Sequence, residues 1–130
     1  MSLNDSLANA LEQIAKYDSL GRSEVLIKPK SKMLKSVLKI LQEKGYVGGY
    51  EEIEDNKGGH LKLHLIKKIN NCGVIKPRYP VGLSDYARAE KRYLPAKDFG
   101  VVIVSTPDGL MTHDEAIAKK IGGVLVAYCY

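Results

Sequence analysis

The sequence predicts an α+β protein built from two small subdomains, and three observations lead there. Two segments in the first third carry apolar residues at helical spacing, whereas most later segments alternate or run apolar over four to eight residues, as strands do. Gly- and Pro-containing breaks separate them. The order of elements also changes along the chain: helix, strand, helix, strand, strand over residues 1–68, then mainly antiparallel strands with a short helix after an S-T-x-x-G turn over residues 69–130. A chain of 130 residues, 45% hydrophobic, is long enough to bury a core in each part.

Taken in order, Leu3, Leu7, Leu11 and Ile14 form one apolar helical face, with Asn4 or Asp5 available as N-cap and Gly21 after the end. "SEVLIKP" reads as a short strand stopped by Pro29. Ser31 can cap a second helix, in which Leu34, Val37, Leu38 and Leu41 make the buried stripe and Lys32, Lys35 and Lys39 fall off it. Gly45 ends that helix. "YVGGYEEIE" and "HLKLHLIKK" then alternate across "DNKGG", which supplies the turn residues of a hairpin. In "INNCGVIKPRYPV", Pro77 and Pro80 limit how far the strand can pair. "SDYARAEKRYLP" is a helical candidate capped by Ser84 or Asp85 and stopped at Pro95. The chain closes with strand "FGVVIVST", the turn "PDGLMT", helix "HDEAIAKKI", a "GG" break and strand "VLVAYCY".

Composition narrows the function. The longest apolar runs fall far short of the ~20 residues that span a bilayer, and the start lacks a signal-peptide pattern, so a soluble, cytoplasmic protein is expected. Cys72 and Cys129 stand alone, without a C-x-x-C partner, which leaves zinc ribbons and disulfide frameworks unsupported. No phosphate-loop or dinucleotide fingerprint is present. His60 and His64 sit in a period-two segment and would lie about 13 Å apart along a strand, too far to share a metal ion. No metal or cofactor is expected.

Charge points to a polyanion. Residues 22–44 carry seven basic and two acidic side chains, residues 57–78 carry six basic and none acidic, and the remainder nets −6. Lysine-rich stretches of this kind suit phosphate neutralisation and counterion release. The stretch "STPDGLMTHDE" at 105–115 admits two readings. As a catalytic corner, Ser105 would be a nucleophile and His113 its base, making a small serine-type hydrolase. That reading lacks the G-x-S-x-G elbow, and Thr112 and Glu115 are already explained as a capping box. As a binding surface, Ser105, Thr106 and Gly109 offer hydroxyls and backbone groups to sugars and phosphates, which suits the shallow minor groove of an RNA helix. A general DNA-binding module using the basic 22–44 segment is a third reading.

The motifs themselves favour RNA. "LIKPKSK" at 26–32, "GYVGGYEEIED" at 45–55, "INNCGVIKPRYPV" at 69–81, "RYLPAKDFGVVIVST" at 92–106, and "GLMTHDEA" followed by "GGVLVAY" resemble, over essentially the whole chain, the small-subunit ribosomal protein numbered eight in its archaeal and eukaryotic form. The resemblance implies a non-enzymatic constituent of the small ribosomal subunit that binds a helical element in the central domain of its RNA and supports assembly. It implies neighbouring ribosomal proteins as partners and, as in some relatives, the protein's own messenger RNA. In the family the S-T-x-x-G loop is the main recognition element, which carries over to Ser105, Thr106, Pro107 and Gly109, with Thr112 positioning the turn. Lys28, Lys30, Ser31 and Lys32 match the amino-terminal contacts, and Arg78 lies in a matching "KPR". The chain departs from the family at Pro107, where many relatives have Ser or Thr; at Asp108, which puts a negative charge in the RNA-facing loop; and at Ser6, where Pro is usual. The recognition loop is not basic, so the resemblance implies that it supplies specificity while the lysine-rich first half supplies attraction.

Overall fold

The computed structural model describes residues 4–27, 32–54, 59–75, 80–96 and 99–130. Two compact units divide the chain, residues 1–71 and 72–130, and the fold is α+β as expected.

In the first unit α1 (Asn4–Ser19) and α2 (Lys32–Glu43) accompany β1 (Glu24–Ile27), β2 (Val47–Ile53) and β3 (His60–Leu65). The strands form an antiparallel sheet in the order β1-β3-β2, with Val25 opposite Leu63 and Ile27 opposite Leu61. The alternation read in the sequence becomes two faces: Leu61, Leu63 and Leu65 are buried, while His60, Lys62 and His64 share the other side. α1 packs on β1, α2 on β2, and the helices touch each other. Leu7, Leu11 and Ile14 of α1, joined by Ala10, meet Leu34, Val37, Leu38 and Leu41 of α2 in being buried. Each fully buried leucine removes about 1.5–3 kcal/mol of apolar surface cost from water. One carboxylate is buried with them. Asp18, 1% exposed, accepts the backbone N–H of Lys67 at 2.9 Å and of Ile69 at 3.1 Å, pinning the segment after β3 with Lys67 at φ +58°.

The second unit is a larger antiparallel sheet. β4 (Cys72–Val74), β8 (Gly123–Cys129), β6 (Val101–Thr106) and β7 (Gly109–Thr112) follow in that spatial order, and the two-residue β5 (Pro80–Val81) also pairs with β8. α3 (Tyr86–Tyr93) and α4 (His113–Lys119) pack against β6. Ile75, Tyr86, Ala89, Val102, Val104, Met111, Ala116 and Leu125 form its core. Cys72 and Cys129, 57 positions apart in sequence, are directly opposite one another on β4 and β8, both buried and not joined by a disulfide.

Three details differ from the sequence reading. "GLMT" is a strand of its own, β7, rather than part of a turn leading straight into the last helix. α4 stops at Lys119 because Lys120 adopts a left-handed conformation, φ 58°, and donates to the carbonyls of Ala116 and Ile117; the "GG" pair lies beyond the stop. At the start of α3, a 3-10 turn over Leu83–Asp85 precedes the helix, and the Asp85 carboxylate accepts from Gly82 N–H at 3.0 Å. Pro29, the Ser31 cap, the hairpin residues 55–58 and Pro77 lie outside the described residues. Among the described residues, no helix is long and apolar enough to cross a membrane.

Candidate nucleic-acid interface

β6 and β7 form a hairpin whose tip is only Pro107 and Asp108, with Thr106 opposite Gly109 at its neck. The local sequence accounts for so tight a connection. Pro107 fixes φ at the first tip position. Gly109 leaves the tip at φ +112°, a conformation L side chains rarely adopt. Thr106 ties the two sides together, since its hydroxyl donates to the Gly109 carbonyl at 2.8 Å and accepts from the Asp108 N–H at 3.1 Å. The Thr106 side chain therefore holds closed the tip that Pro107 and Gly109 bend.

The hydroxyls that look equivalent in "ST" have separate tasks. Thr106 is buried at 8% exposure and its proton is committed inside the turn. Ser105 is half-buried, and its hydroxyl has no hydrogen-bond partner among the described residues. Its backbone is flanked on both sides, by Leu110 of β7 and Val124 of β8. Pro107, Asp108 and Gly109 are exposed. The tip thus presents one available hydroxyl, one carboxylate and a fixed backbone contour, mounted on a central strand. Backbone donors are scarcer than the sequence suggests: Pro107 has none and that of Asp108 is used by Thr106.

Behind the tip, Thr112 is fully buried and its hydroxyl accepts from Glu115 N–H at 3.3 Å, the first half of the expected capping box. It shapes the start of α4 without reaching solvent. Gly122 and Gly123 complete the support. A Cβ on Gly123 would stand 2.4 Å from the Ser105 carbonyl oxygen, and one on Gly122 would stand 2.5 Å from that of Val81. These glycines are required by close backbone approach, Gly123 to β6 at the base of the hairpin and Gly122 to β5, a role that the sequence signal "GG" conceals behind its reading as a helix break.

His113 is occupied elsewhere. It is 2% exposed; its Nδ1 accepts from Val102 N–H at 3.2 Å, and its Nε2 lies 2.9 Å from Glu90 Oε2. An imidazole whose Nδ1 lone pair is taken by a backbone N–H carries its proton on Nε2, and that proton is directed to Glu90. It has no lone pair left with which to activate a serine. Ser105 is three residues along β6 from Val102, about 10 Å at strand spacing. The same bonding argues against a metal ion at the nearby group Glu90, His113 and Asp114, since Nε2 would have to surrender its proton.

The lysine-rich runs are partly neutralised in the fold. Lys35 pairs with Glu52 of β2 and Lys62 with Glu24 of β1, so these two cations lie beside acidic side chains of their own unit. Lys32 is exposed at the first residue of α2, where the helix has no acidic side chain in its first turn. A cation there opposes the helix dipole, so helix stability does not account for it. Lys28, Lys30, Ser31 and Arg78 lie outside the described residues. Compared with known protein families, the chain matches the model for ribosomal protein S8 over residues 5–130.

Proposed function

This chain belongs to the ribosomal protein S8 family, whose members are structural small-subunit proteins that bind ribosomal RNA, and we propose that it recognises a helical element of the central domain of that RNA through the β6–β7 hairpin tip. One observation carries the reading. Thr106 spends its hydroxyl on the turn while Ser105 beside it keeps a hydroxyl available on a strand paired along both edges. Such a tip is rigid and uncharged apart from Asp108, which suits sugar hydroxyls and the contour of a minor groove better than bare phosphate.

The roles then divide. Ser105 contacts the RNA directly, Pro107 and Gly109 give the tip its contour, and Thr106 and Thr112 hold that contour from inside. Lys32, with Lys28, Lys30 and Ser31 before it, supplies phosphate attraction at the amino-terminal end of α2, and Arg78 adds a cation in the second part of the chain. Residues 1–68 and 69–130 act as two RNA-contacting subdomains. In this reading the protein works in the cytoplasm beside other ribosomal proteins of the subunit and needs no cofactor. Its own messenger is a second target wherever it folds the same helical element.

Competition tests the proposal. A labelled central-domain helix fragment bound by the full chain at physiological salt should be displaced by unlabelled fragment at least about a hundredfold more effectively than by duplex DNA of equal length, since specific and non-specific binding commonly differ by 10³ or more. Equal displacement would identify a general polyanion binder instead.

A further inference from the structure

We propose that a groove on the second unit, beside α3, is a binding site for an unpaired nucleotide, with its phosphate on Arg88 and Arg92 and its base against Tyr93. The inference rests on the reading of the chain as an RNA binder and adds a site apart from the hairpin tip. The groove encloses about 340 Å³ and is floored by Val81, Ala89 and Leu125, a size within the range of small-molecule sites. Arg88 and Arg92 stand four residues apart on α3, so they share a face, and both are exposed. Dipole stabilisation accounts for Arg92 in the last turn. It does not account for Arg88, which has no ion-pair partner among the described residues. Among the described residues, the one acid lining the groove, Asp85, has a carboxylate oxygen engaged by Gly82 N–H.

The aromatic side of the groove distinguishes a nucleotide from a simpler anion. The Arg92 guanidinium lies 5.6 Å from the centre of the Tyr93 ring. Tyr93 in turn stacks on Tyr128 at 5.7 Å and 23°, and Tyr128 on Tyr130 at 6.2 Å and 20°. Gly73 opposite leaves room for the middle ring, since a Cβ there would come within 3.1 Å of the Tyr128 hydroxyl oxygen. Of these rings Tyr93 lines the groove and the other two back it, and inorganic phosphate has no use for an aromatic wall beside its guanidinium groups. An unpaired base packs against Tyr93 and the guanidinium beside it while its phosphate accepts the fork-shaped donors of arginine.

The test uses the full chain and a hexauridylate carrying 5-bromouracil. Irradiation should cross-link it to Tyr93, the aromatic residue that lines the groove. The double variant Arg88→Ala/Arg92→Ala should weaken its binding about tenfold or more, and Arg88→Lys/Arg92→Lys should recover only part of the loss because lysine keeps the charge without the planar fork. Cross-links confined to other residues, unchanged affinity in the double alanine variant, or displacement by hexaglutamate as effective as by unlabelled hexauridylate would each overturn the proposal. The central-domain helix fragment is titrated in parallel. If the groove fails while the fragment still binds in a Ser105-dependent way, the hairpin reading stands alone; if the oligonucleotide binds the groove and the fragment does not bind the chain, the hairpin reading is the one that fails.

Discussion

A carboxylate on the apolar face of a helix costs several kcal/mol unless its oxygens are bonded, and Asp18 meets that condition through two backbone N–H groups about fifty positions away in sequence. Asp18→Ala would leave the N–H groups of Lys67 and Ile69 without their acceptor. We expect it to lower the urea unfolding free energy by about 2–4 kcal/mol, and Asp18→Asn, which retains one acceptor oxygen, to lower it by less; a loss under about 0.5 kcal/mol for the alanine variant would contradict the assigned role. Helical periodicity exposed the leucines on either side of this residue but not its partners, because nothing local in "KYDSLG" points to the segment after β3. Adjacent hydroxyls pose a similar problem. Ser105 and Thr106 are interchangeable donors on paper, and only the closed hairpin shows that Thr106 shapes the tip while Ser105 faces outward. His113 looked available as a base for the same reason: its partners Val102 and Glu90 are set by strand pairing and helix packing, not by spacing.

At the scale of elements, segments with a clear period were legible. α1, α2 and β3 follow from the 3.6- and two-residue repeats of their apolar positions, and α4 follows from Thr112 and the acidic first turn. β7 was not legible, since the four residues following the Pro-Asp tip show too little alternation to stand out, and its pairing with β6 comes from tertiary context. The "GG" pair reads as a helix break in the sequence, but Lys120 ends α4 first. This gives a prediction for the support of the tip. Gly123→Ala would drive a methyl group into the Ser105 carbonyl at 2.4 Å, so β8 or β6 must shift, at a cost of about 1–3 kcal/mol in stability. Binding of the RNA helix fragment should fall with it, and amide shifts in a ¹⁵N spectrum should concentrate on residues 104–110. A spectrum changed only around position 123, with unchanged RNA affinity, would show that the tip is independent of this packing.

Across the whole molecule, the basic runs are diluted when charge is summed over each unit, residues 1–71 netting +3 and residues 72–130 netting +2, and the fold sets Lys35 and Lys62 beside acidic partners. In the proposed reading, attraction is spread over both units and specificity comes from the shape of the hairpin tip. Alkaline stability is also a property of the whole second unit. Burial raises the Tyr86 phenol above its usual value, and burial together with neighbouring Tyr130, Cys72 and Tyr93 raises Tyr128. A phenol harder to ionise when folded contributes its full stability below its unfolded pKa of about 10 and loses it as pH climbs through the higher folded value. Unfolding free energy should accordingly decline above about pH 10. Tyr86→Phe, which also loses the bond from its hydroxyl to the Ile121 carbonyl, should be less stable at pH 8 but show a shallower alkaline decline; parallel declines would exclude Tyr86 as a source. The central claim is that the hairpin tip reads the RNA helix while lysine and arginine supply the attraction. It is tested most directly by the salt dependence of binding to the central-domain helix fragment, measured for the native chain and for Ser105→Ala. The account predicts two parallel lines of log affinity against log salt, with the variant about tenfold weaker at every salt concentration, as expected for loss of one intermolecular hydrogen bond without loss of a phosphate contact; coincident lines would contradict it.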